Sequence, residues 1–207
     1  MDKTVDLLVI TTNAMESDGF KFFFEQNKPG YKVALKLLPA YHSFNDIYDL
    51  RLKKDGIIIF DTDSFAEDKL VDCLEEIKRY GIKCIIYSRL STPGLVIKAR
   101  ELFINGYISK SSPLSRLLNC LNVIELGGNY YDECFSELIK EIMDFEETLS
   151  LTQRRFLHEI LLFSSRSIRD LSNALNISKH TVEVHLSNLY KKAEVSNYNE
   201  LISRFSL

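Results

Sequence analysis

The first 126 residues alternate between short apolar runs and longer amphipathic runs, and this alternation limits the folds open to the chain. The run Gly56–Phe60 includes three consecutive isoleucines, which is typical of a central strand buried on both faces. The strand-like runs are Val5–Ile10, Tyr31–Leu38, Gly56–Phe60, Ile82–Tyr87 and Tyr107–Ser109, and the helix-like runs are Ala14–Gln26, Ser43–Leu52, Asp68–Tyr80, Pro93–Phe103 and Pro113–Leu126. Five β–α units in succession predict an α/β fold with a doubly wound five-stranded parallel sheet.

Length and composition are those of a globular protein. The 207 residues suit one large or two small domains, and an apolar share of 45% is enough for a packed core. We expect a cytoplasmic protein, because no apolar run is long enough for a membrane span and the start of the chain is charged. The cysteines lack metal or disulfide spacing, and three of them have apolar neighbours, so we expect buried free thiols at most of Cys73, Cys84, Cys120 and Cys134.

The end of the chain is predicted to be all-α. Thr152 is the expected cap of a helix over Leu151–Phe163, and a serine-rich break follows it. A short helix, Ile168–Leu175, precedes a turn at Asn176-Ile177, where asparagine tolerates a left-handed conformation. The longer helix Ser178–Ala193 and a last short helix, Asn197–Phe205, complete the order of a helix-turn-helix domain.

The two faces of Ser178–Ala193 differ in chemistry. The apolar stripe consists of Val182, Leu186, Leu189 and Ala193, and the opposite face carries His180, Val184, Ser187, Asn188 and Lys191. Short polar groups around one valine suit base edges in a DNA major groove, although an ordinary surface helix remains an equal alternative from this helix alone.

These residues carry a family resemblance. The runs LT and R at Leu151, Thr152 and Arg154, IRDLSNALNIS at 168–178, TV and HLSNLYKK within 181–192, and VSN at 195–197 resemble the LuxR/FixJ/NarL-type DNA-binding domain. In that family the helix matching Ser178–Ala193 enters the major groove, and the last helix often forms a dimer. The resemblance therefore implies DNA contacts by Lys179, His180, Thr181, Glu183, Val184, Ser187, Asn188, Lys191 and Lys192.

Several residues depart from the family pattern. Arg155 replaces the glutamate that would complete a capping box with Thr152. Glu183 replaces a basic residue that commonly touches DNA; a carboxylate repels phosphate but can accept from a cytosine amino group. Glu194 and Ser165 stand where the family has glycine. These changes put a standard binding sequence in doubt.

The distribution of charge agrees with DNA contact by this end of the chain. Residues 151–207 contain eight Lys or Arg and five Asp or Glu, a net charge of +3, whereas the whole chain carries −3. Because the excess is small, a dimer is expected to hold DNA better than one copy.

Polar residues follow three of the predicted strands. Asp61, Ser88 and Lys110 stand at the carboxyl ends of the third, fourth and fifth strands, with Tyr107 just before the lysine. Ligands of doubly wound sheets bind at this edge. The set resembles a response-regulator receiver domain, in which the Asp accepts phosphate, the hydroxyl and Lys bind the phosphoryl oxygens, and the aromatic reports the switch. No glycine-rich phosphate loop follows a strand, so a nucleotide-binding enzyme is not expected.

One part of a receiver is missing. Thr11, Thr12 and Asn13 follow the first strand, where receivers carry the acidic pair that holds Mg²⁺. Hydroxyls and an amide are poor substitutes, because Mg²⁺ prefers carboxylates. We therefore expect no metal and no cofactor, and a structural ion pair between Asp61 and Lys110, in an atypical receiver.

A segment from Gly127 to Ser150 is expected to link the receiver-like domain, residues 1–126, to the helix-turn-helix domain, residues 151–207. It contains an amphipathic run, Glu133–Phe145. Related biofilm regulators bind cyclic di-GMP here through a Trp-x-Ser/Thr-Arg motif. Cyclic di-GMP is not expected to bind this chain, because the matching positions hold Tyr130, Tyr131, Asp132 and Glu133.

The leading hypothesis is a regulator of transcription that binds double-stranded DNA as a homodimer, or as a heterodimer with another response-regulator-type protein, and resembles auxiliary regulators of the RcsA and CsgD type. One alternative is a phosphorylation switch at Asp61. Another is an interaction cofactor of a second regulator without DNA specificity of its own. An enzyme is not expected, because no nucleophile has an oriented base.

Overall fold

The computed structural model describes residues 5–27, 31–37, 56–65, 67–89, 92–162 and 167–205. The chain divides into two compact units. Unit 1 comprises residues 1–89 and 101–132, and unit 2 comprises residues 90–100 and 133–207. The first domain is therefore not continuous in sequence, since one short segment from its middle clusters with the C-terminal helices.

Unit 1 is built on a parallel sheet with the strand order β2-β1-β3-β4-β5-β6. The strands are β1 Val5–Thr11, β2 Tyr31–Leu37, β3 Ile57–Asp61, β4 Lys83–Ser88, β5 Gly106–Ser109 and β6 Tyr130–Tyr131. The doubly wound five-stranded sheet is confirmed, and the two-residue β6 extends it. Sequence analysis missed β6 because two tyrosines after a glycine pair give no periodic signal.

The helices of unit 1 are α1 (Ala14–Asn27), α2 (Glu67–Arg79) and α4 (Leu114–Glu125), with a 3₁₀ turn at Thr62–Ser64. Phe20 and Phe24 of α1 share one core cluster with Leu117 and Leu121 of α4, packed on the side chains of β1, β3, β4 and β5. The predicted helix Ser43–Leu52 lies outside the described residues.

Unit 2 is all-α over its described residues. Its helices are α3 (Pro93–Glu101), α5 (Glu133–Glu147), α6 (Leu151–Leu162), α7 (Ile168–Leu175), α8 (Lys179–Ala193) and α9 (Tyr198–Arg204). The four C-terminal helices are confirmed, with ends that differ from the prediction by at most one residue. None of the described helices combines the length and apolarity that crossing a bilayer requires.

Candidate functional sites: a nucleic-acid interface and an acid–lysine cluster

Local hydrogen bonds build the turn between α7 and α8. Ser167 caps α7 through a reciprocal capping box with Asp170. Asn176 ends α7 in the left-handed conformation, with φ 51° and ψ 46°, as its residue type predicts. The Ser172 hydroxyl then donates to the Ile177 carbonyl at 2.6 Å, and the Ser178 side chain accepts from the Thr181 amide at 3.1 Å to cap α8. Short polar residues thus fix where α8 begins.

The two predicted faces of α8 are present. The apolar stripe is buried against unit 2, as Val182, Leu186, Leu189 and Ala193. The opposite face is exposed, and 45% of Val184 is accessible. The exposed residues of α8 that were predicted to contact DNA are Lys179, His180, Glu183, Val184, Ser187, Asn188, Lys191 and Lys192, and Thr181 is half-buried. The helix therefore offers a row of donors, acceptors and one pair of methyl groups to a ligand.

The charged residues of α8 have different surroundings. Lys191 is exposed, whereas the Lys192 ammonium donates to the Thr148 carbonyl and, at 3.3 Å, to Oε1 of Gln153. Glu183 lies 3.9 Å from Nδ1 of His180, with both side chains largely exposed. Lys192 thus ties α8 to the start of α6, in addition to its predicted approach to phosphate.

The cap of α6 corrects the prediction made for Thr152. The Ser150 side chain accepts from the Gln153 amide at 3.4 Å, and the Ser150 amide donates to Oε1 of Gln153 at 3.0 Å. This is a capping box two residues before the expected one. The prediction was wrong because Ser150 also heads a Ser-x-x-Gln pattern, so Arg155 does not remove the capping box.

A histidine that sequence analysis did not single out supports α8 from inside unit 2. The ring of His185 lies 5.2 Å from that of Phe156 in α6. Its Nδ1 is buried without a hydrogen-bond partner among the described residues. His185 therefore packs as an aromatic ring between the two helices.

At the carboxyl edge of the sheet in unit 1, three carboxylates surround one ammonium group, which we call the acid–lysine cluster: Glu16, Asp61, Asp63 and Lys110. The Lys110 Nζ lies 2.7 Å from Oδ1 of Asp61, 3.1 Å from Oδ2 of Asp63 and 3.1 Å from Oε1 of Glu16. The predicted contact of Asp61 with Lys110 is therefore present. Burial would lower the pKa of Lys110, but hydrogen bonds and charge from Asp61, with Glu16 and Asp63, raise this pKa above its ordinary value.

Asp61 makes further contacts. The Thr11 hydroxyl donates to its Oδ2 at 2.7 Å, and the Asp63 amide donates to its Oδ1 at 3.1 Å. Only 1% of Asp61 is exposed. Both oxygens of this buried carboxylate are bonded within the protein, which leaves little room for an incoming phosphoryl group.

The remaining predicted members of this site lie nearby in the sheet. The Ser88 carbonyl accepts from the Lys110 amide at 2.7 Å, and Ser88 pairs with Ser109 in the β4–β5 register. Tyr107 is fully buried in β5. The structure thus brings Asp61, Ser88 and Lys110 to one edge, and places the Tyr107 side chain inside the unit.

Mg²⁺, which the receiver resemblance implies, does not fit this arrangement. The acids converge on an ammonium group, and a hydroxyl, Thr11, stands where a carboxylate ligand would be needed. Over the described part of the chain, no three His, Cys, Asp or Glu side chains are placed to hold a metal ion.

Sequence analysis missed Glu16 and Asp132. Glu16 lies in the first turn of α1, where the carboxyl end of β1 brings it to the Lys110 ammonium. Asp132 is buried directly after β6 and accepts from the Ser109 amide, and from the Ser112 hydroxyl at 3.3 Å. Asp132 thereby shapes the loop that carries Lys110. No local signal marks Glu16, and Asp132 follows a strand that has no periodic pattern of its own.

The Tyr130–Glu133 segment, where related regulators carry a cyclic di-GMP motif, serves the sheet. Tyr130 and Tyr131 form β6, and the Tyr131 hydroxyl donates to the Ile104 carbonyl at 2.7 Å. The Asp132 carboxylate accepts hydrogen bonds from the loop after β5. The segment contains no arginine.

Comparison with known proteins identifies the C-terminal helices. Residues 148–205 match the family model described as bacterial regulatory proteins, luxR family. These residues are a LuxR-family domain. Their α7–turn–α8 geometry is the helix-turn-helix of that domain, as the sequence resemblance implied.

Bacterial regulatory proteins are similar to about 60–65% of the chain. The chain is 28% identical over 134 residues to the transcriptional regulatory protein DesR of Bacillus subtilis, covering 65% of each protein. It is 27% identical over 124 residues to the transcriptional regulatory protein UhpA of Salmonella typhimurium, covering 60% of this chain and 61% of that one. The chain thus spans less than two thirds of the length of these curated relatives.

Solved structures show the same fold across both units. RcsB from Salmonella enterica serovar Typhimurium, bound to promoter P1flhDC in the presence of phosphomimetic BeF3−, superposes with a TM-score of 0.66 at 18% identity over 96% of each chain. A structure of two RcsB dimers bound to two parallel DNAs gives 0.64 at 18% identity over 97% of each chain. The chain therefore has the fold of a LuxR/NarL-type response regulator.

Glu194 is a strained backbone position in the LuxR-family domain. Glu194 ends α8 in the left-handed conformation, with φ 57° and ψ 40°, where the family resemblance calls for glycine. A side chain in this conformation carries a free-energy cost that glycine avoids. Ser165, the other glycine replacement, lies outside the described residues.

Proposed function

We propose that the chain is a sequence-specific regulator of transcription that binds double-stranded DNA through α8. The exposed face of α8 carries this proposal, because its donors, acceptors and valine stand on a helix that the LuxR-family domain presents outward. His180, Ser187 and Asn188 are suited to hydrogen bonds with base edges, and Val184 is suited to a thymine methyl group. An enzymatic role has no comparable support.

A dimer is the form we propose for DNA binding. The helix-turn-helix proteins that bind as dimers recognise two half-sites about one helical turn apart, and the net charge of +3 on residues 151–207 gives one copy only weak attraction to DNA. RcsB dimers on DNA have the same fold. The partner is a second copy of this chain or another response-regulator-type protein.

We assign the receiver-like unit to association rather than to phosphorylation. Support comes from Asp61, whose two carboxylate oxygens are bonded to Lys110 and Thr11, and from the absence of an acidic pair after β1 in the sequence. In this proposal the acid–lysine cluster holds the unit in one state without a metal ion.

Selection of bound DNA from a random pool tests this function, performed with the chain alone and with candidate partner regulators. We expect an enriched sequence with two half-sites, and loss of enrichment in the variant Ser187→Ala/Asn188→Ala. Lys21→Ala is the control, since Lys21 is exposed on α1, a helix of unit 1. Sedimentation of the DNA complex reports the number of copies. A single copy on one half-site with high affinity would contradict the dimer.

Glu183 favours a second candidate, a cofactor that contacts another regulator and has no DNA specificity of its own. Its exposed carboxylate replaces a basic residue of the family on the face of α8. In that case the pool yields no enriched sequence with the chain alone, and adding the partner yields only the sequence that the partner selects by itself.

A further inference from the structure

The helix α3 lies between β4 and β5 in sequence but belongs to the compact unit of the LuxR-family domain. Most of its residues are buried. The buried residues of α3 are Pro93, Gly94, Leu95, Val96, Ile97 and Ala99. A helix with this many buried residues packs against its neighbours on more than one side.

One carboxylate joins α3 to two other helices. Glu146 of α5 accepts two hydrogen bonds from Nη2 of Arg100 in α3, at 3.0 Å to Oε1 and 3.2 Å to Oε2. Nε2 of His158 in α6 lies 2.6 Å from Oε1 of the same carboxylate. The Glu146 side chain is only 11% exposed. Removing one partner from such a site leaves a poorly solvated group unpaired, which is costly.

A close backbone contact joins α3 to α6 independently of charge. A Cβ on Gly94 would lie 2.4 Å from the Leu161 carbonyl oxygen and 2.8 Å from Cα of Leu162. These are backbone atoms at the end of α6, so they cannot move aside as a flexible side chain would. Only glycine allows α3 to approach α6 this closely.

The support continues from α6 to α8. Phe156 of α6 packs its ring 5.2 Å from His185 of α8. The outward face of α8 stays exposed while α3 is in place, so α3 does not compete with DNA for that face. A contact behind a recognition helix affects binding through the orientation of the helix and not through occlusion.

We propose that α3 is a strap that holds the DNA-binding unit in its binding-competent arrangement, with Glu146 and Gly94 as its positioning residues. The strap is covalently continuous with β4 and β5, whose ends carry Ser88 and Lys110. It therefore connects the sheet of unit 1 to α6, the helix that packs behind α8. The effect of the strap on DNA affinity rests on the proposed function, whereas the packing of α3 against α5 and α6 does not.

Hydrogen exchange on the full chain tests the docking. In Glu146→Gln and in Gly94→Ala, we expect the amides of α3 to exchange about tenfold faster or more, because each variant removes a different contact of the strap. The matched controls are Glu147→Gln, an exposed neighbour on α5, and Gly19→Ala, since nothing lies within 4 Å of a Cβ at Gly19 in α1. Unchanged exchange in α3 in both variants would overturn the strap.

DNA binding is measured on the same four variants. Glu146→Gln and Gly94→Ala are expected to weaken binding to the selected site by about three- to tenfold, with the controls at wild-type affinity. Faster exchange with unchanged affinity would overturn the role of the strap in DNA binding. Faster exchange in the two variants, together with a wild type that binds no DNA, would overturn the proposed function and leave the docking of α3 established.

Discussion

The Thr11 hydroxyl donates a hydrogen bond of 2.7 Å to Oδ2 of Asp61, and the Lys110 ammonium lies 2.7 Å from the other oxygen of the same carboxylate. Thr11 comes from β1 and Asp61 from β3, which are neighbours in the sheet. A hydroxyl thus faces the position where a phosphoryl group would have to enter. Both oxygens of Asp61 are thus bonded to groups of the protein itself.

We predict from this contact that Asp61 does not act as a phosphate acceptor. Incubation with acetyl phosphate and Mg²⁺ should add no mass to the protein, because no acidic pair holds the metal that offsets the repulsion between carboxylate and phosphate. Asp61→Asn should leave DNA affinity near that of the wild type. A stable gain of mass at Asp61 together with tighter DNA binding would contradict this prediction.

The buried thiols predict a loss of stability at alkaline pH. Burial raises the pKa of Cys84 from 9.0 to about 12, and burial also raises that of Cys120 to about 12. Between pH 9 and about pH 12 the thiol is ionised in the unfolded state but not in the folded state. The unfolded state therefore binds fewer protons, and the free energy of unfolding falls as the pH rises above 9. Each thiol should contribute about 1.4 kcal/mol per pH unit.

Urea unfolding at pH 9, 10 and 11 under reducing conditions measures this slope. Cys84→Ala should reduce the fall in unfolding free energy per pH unit by the contribution of one proton, whatever the variant's stability at pH 7. Cys134→Ala is the control, because Cys134 is exposed. Equal slopes in the two variants would show that ionisation of Cys84 does not limit stability.

Lys191 and Lys192 are predicted to contact DNA phosphates. Lys191→Ala should lower the slope of log affinity against log salt by about one unit and weaken all sequences alike. Lys192→Ala should lower the slope in the same way and also lower the melting temperature, because Lys192 donates to the Thr148 carbonyl. If Lys191→Ala altered base preference without changing the salt slope, its assignment to phosphate would be wrong.

Glu183 is predicted to read a cytosine amino group. Glu183→Ala should then cost about 1–3 kcal/mol on the preferred site and relax the preference at one base position. Binding of Glu183→Ala and Glu183→Lys to specific and scrambled DNA at two salt concentrations measures this. Tighter binding of Glu183→Lys to every sequence, with a steeper salt slope, would instead assign the residue to the vicinity of phosphates.

Features with a local cause could be predicted from the sequence. The apolar run at Ile57–Phe60 specifies a buried strand by itself, and Asn176 and Ser178 specify a turn and a cap through their own side chains. The ends of β3, β4 and β5 follow from the same runs, which is why Asp61, Ser88 and Lys110 could be placed at one edge of the sheet.

Features that depend on register and packing could not be predicted. Glu16 joins Lys110 only because the first turn of α1 stands beside the β5 loop, at a separation of 94 residues in the chain. The contact of Glu146 with Arg100 likewise requires knowledge of which unit contains α3. Thr152 was misassigned because two overlapping patterns compete for one helix start, and the side-chain geometry of Ser150 and Gln153 decides between them.

The placement of α3 has a consequence for the evolution and engineering of this protein. Because residues 90–100 belong to unit 2, the chain passes between the two units three times: near residue 90, near residue 100 and near residue 133. In a chimera that joins a foreign receiver-like domain to this C-terminal domain at residue 127, the helix in the position of α3 is foreign. Such a helix is not selected to contact Leu161, as Gly94 does, or Glu146, as Arg100 does. We therefore expect a chimera that retains residues 90–100 to keep the native packing of the DNA-binding unit.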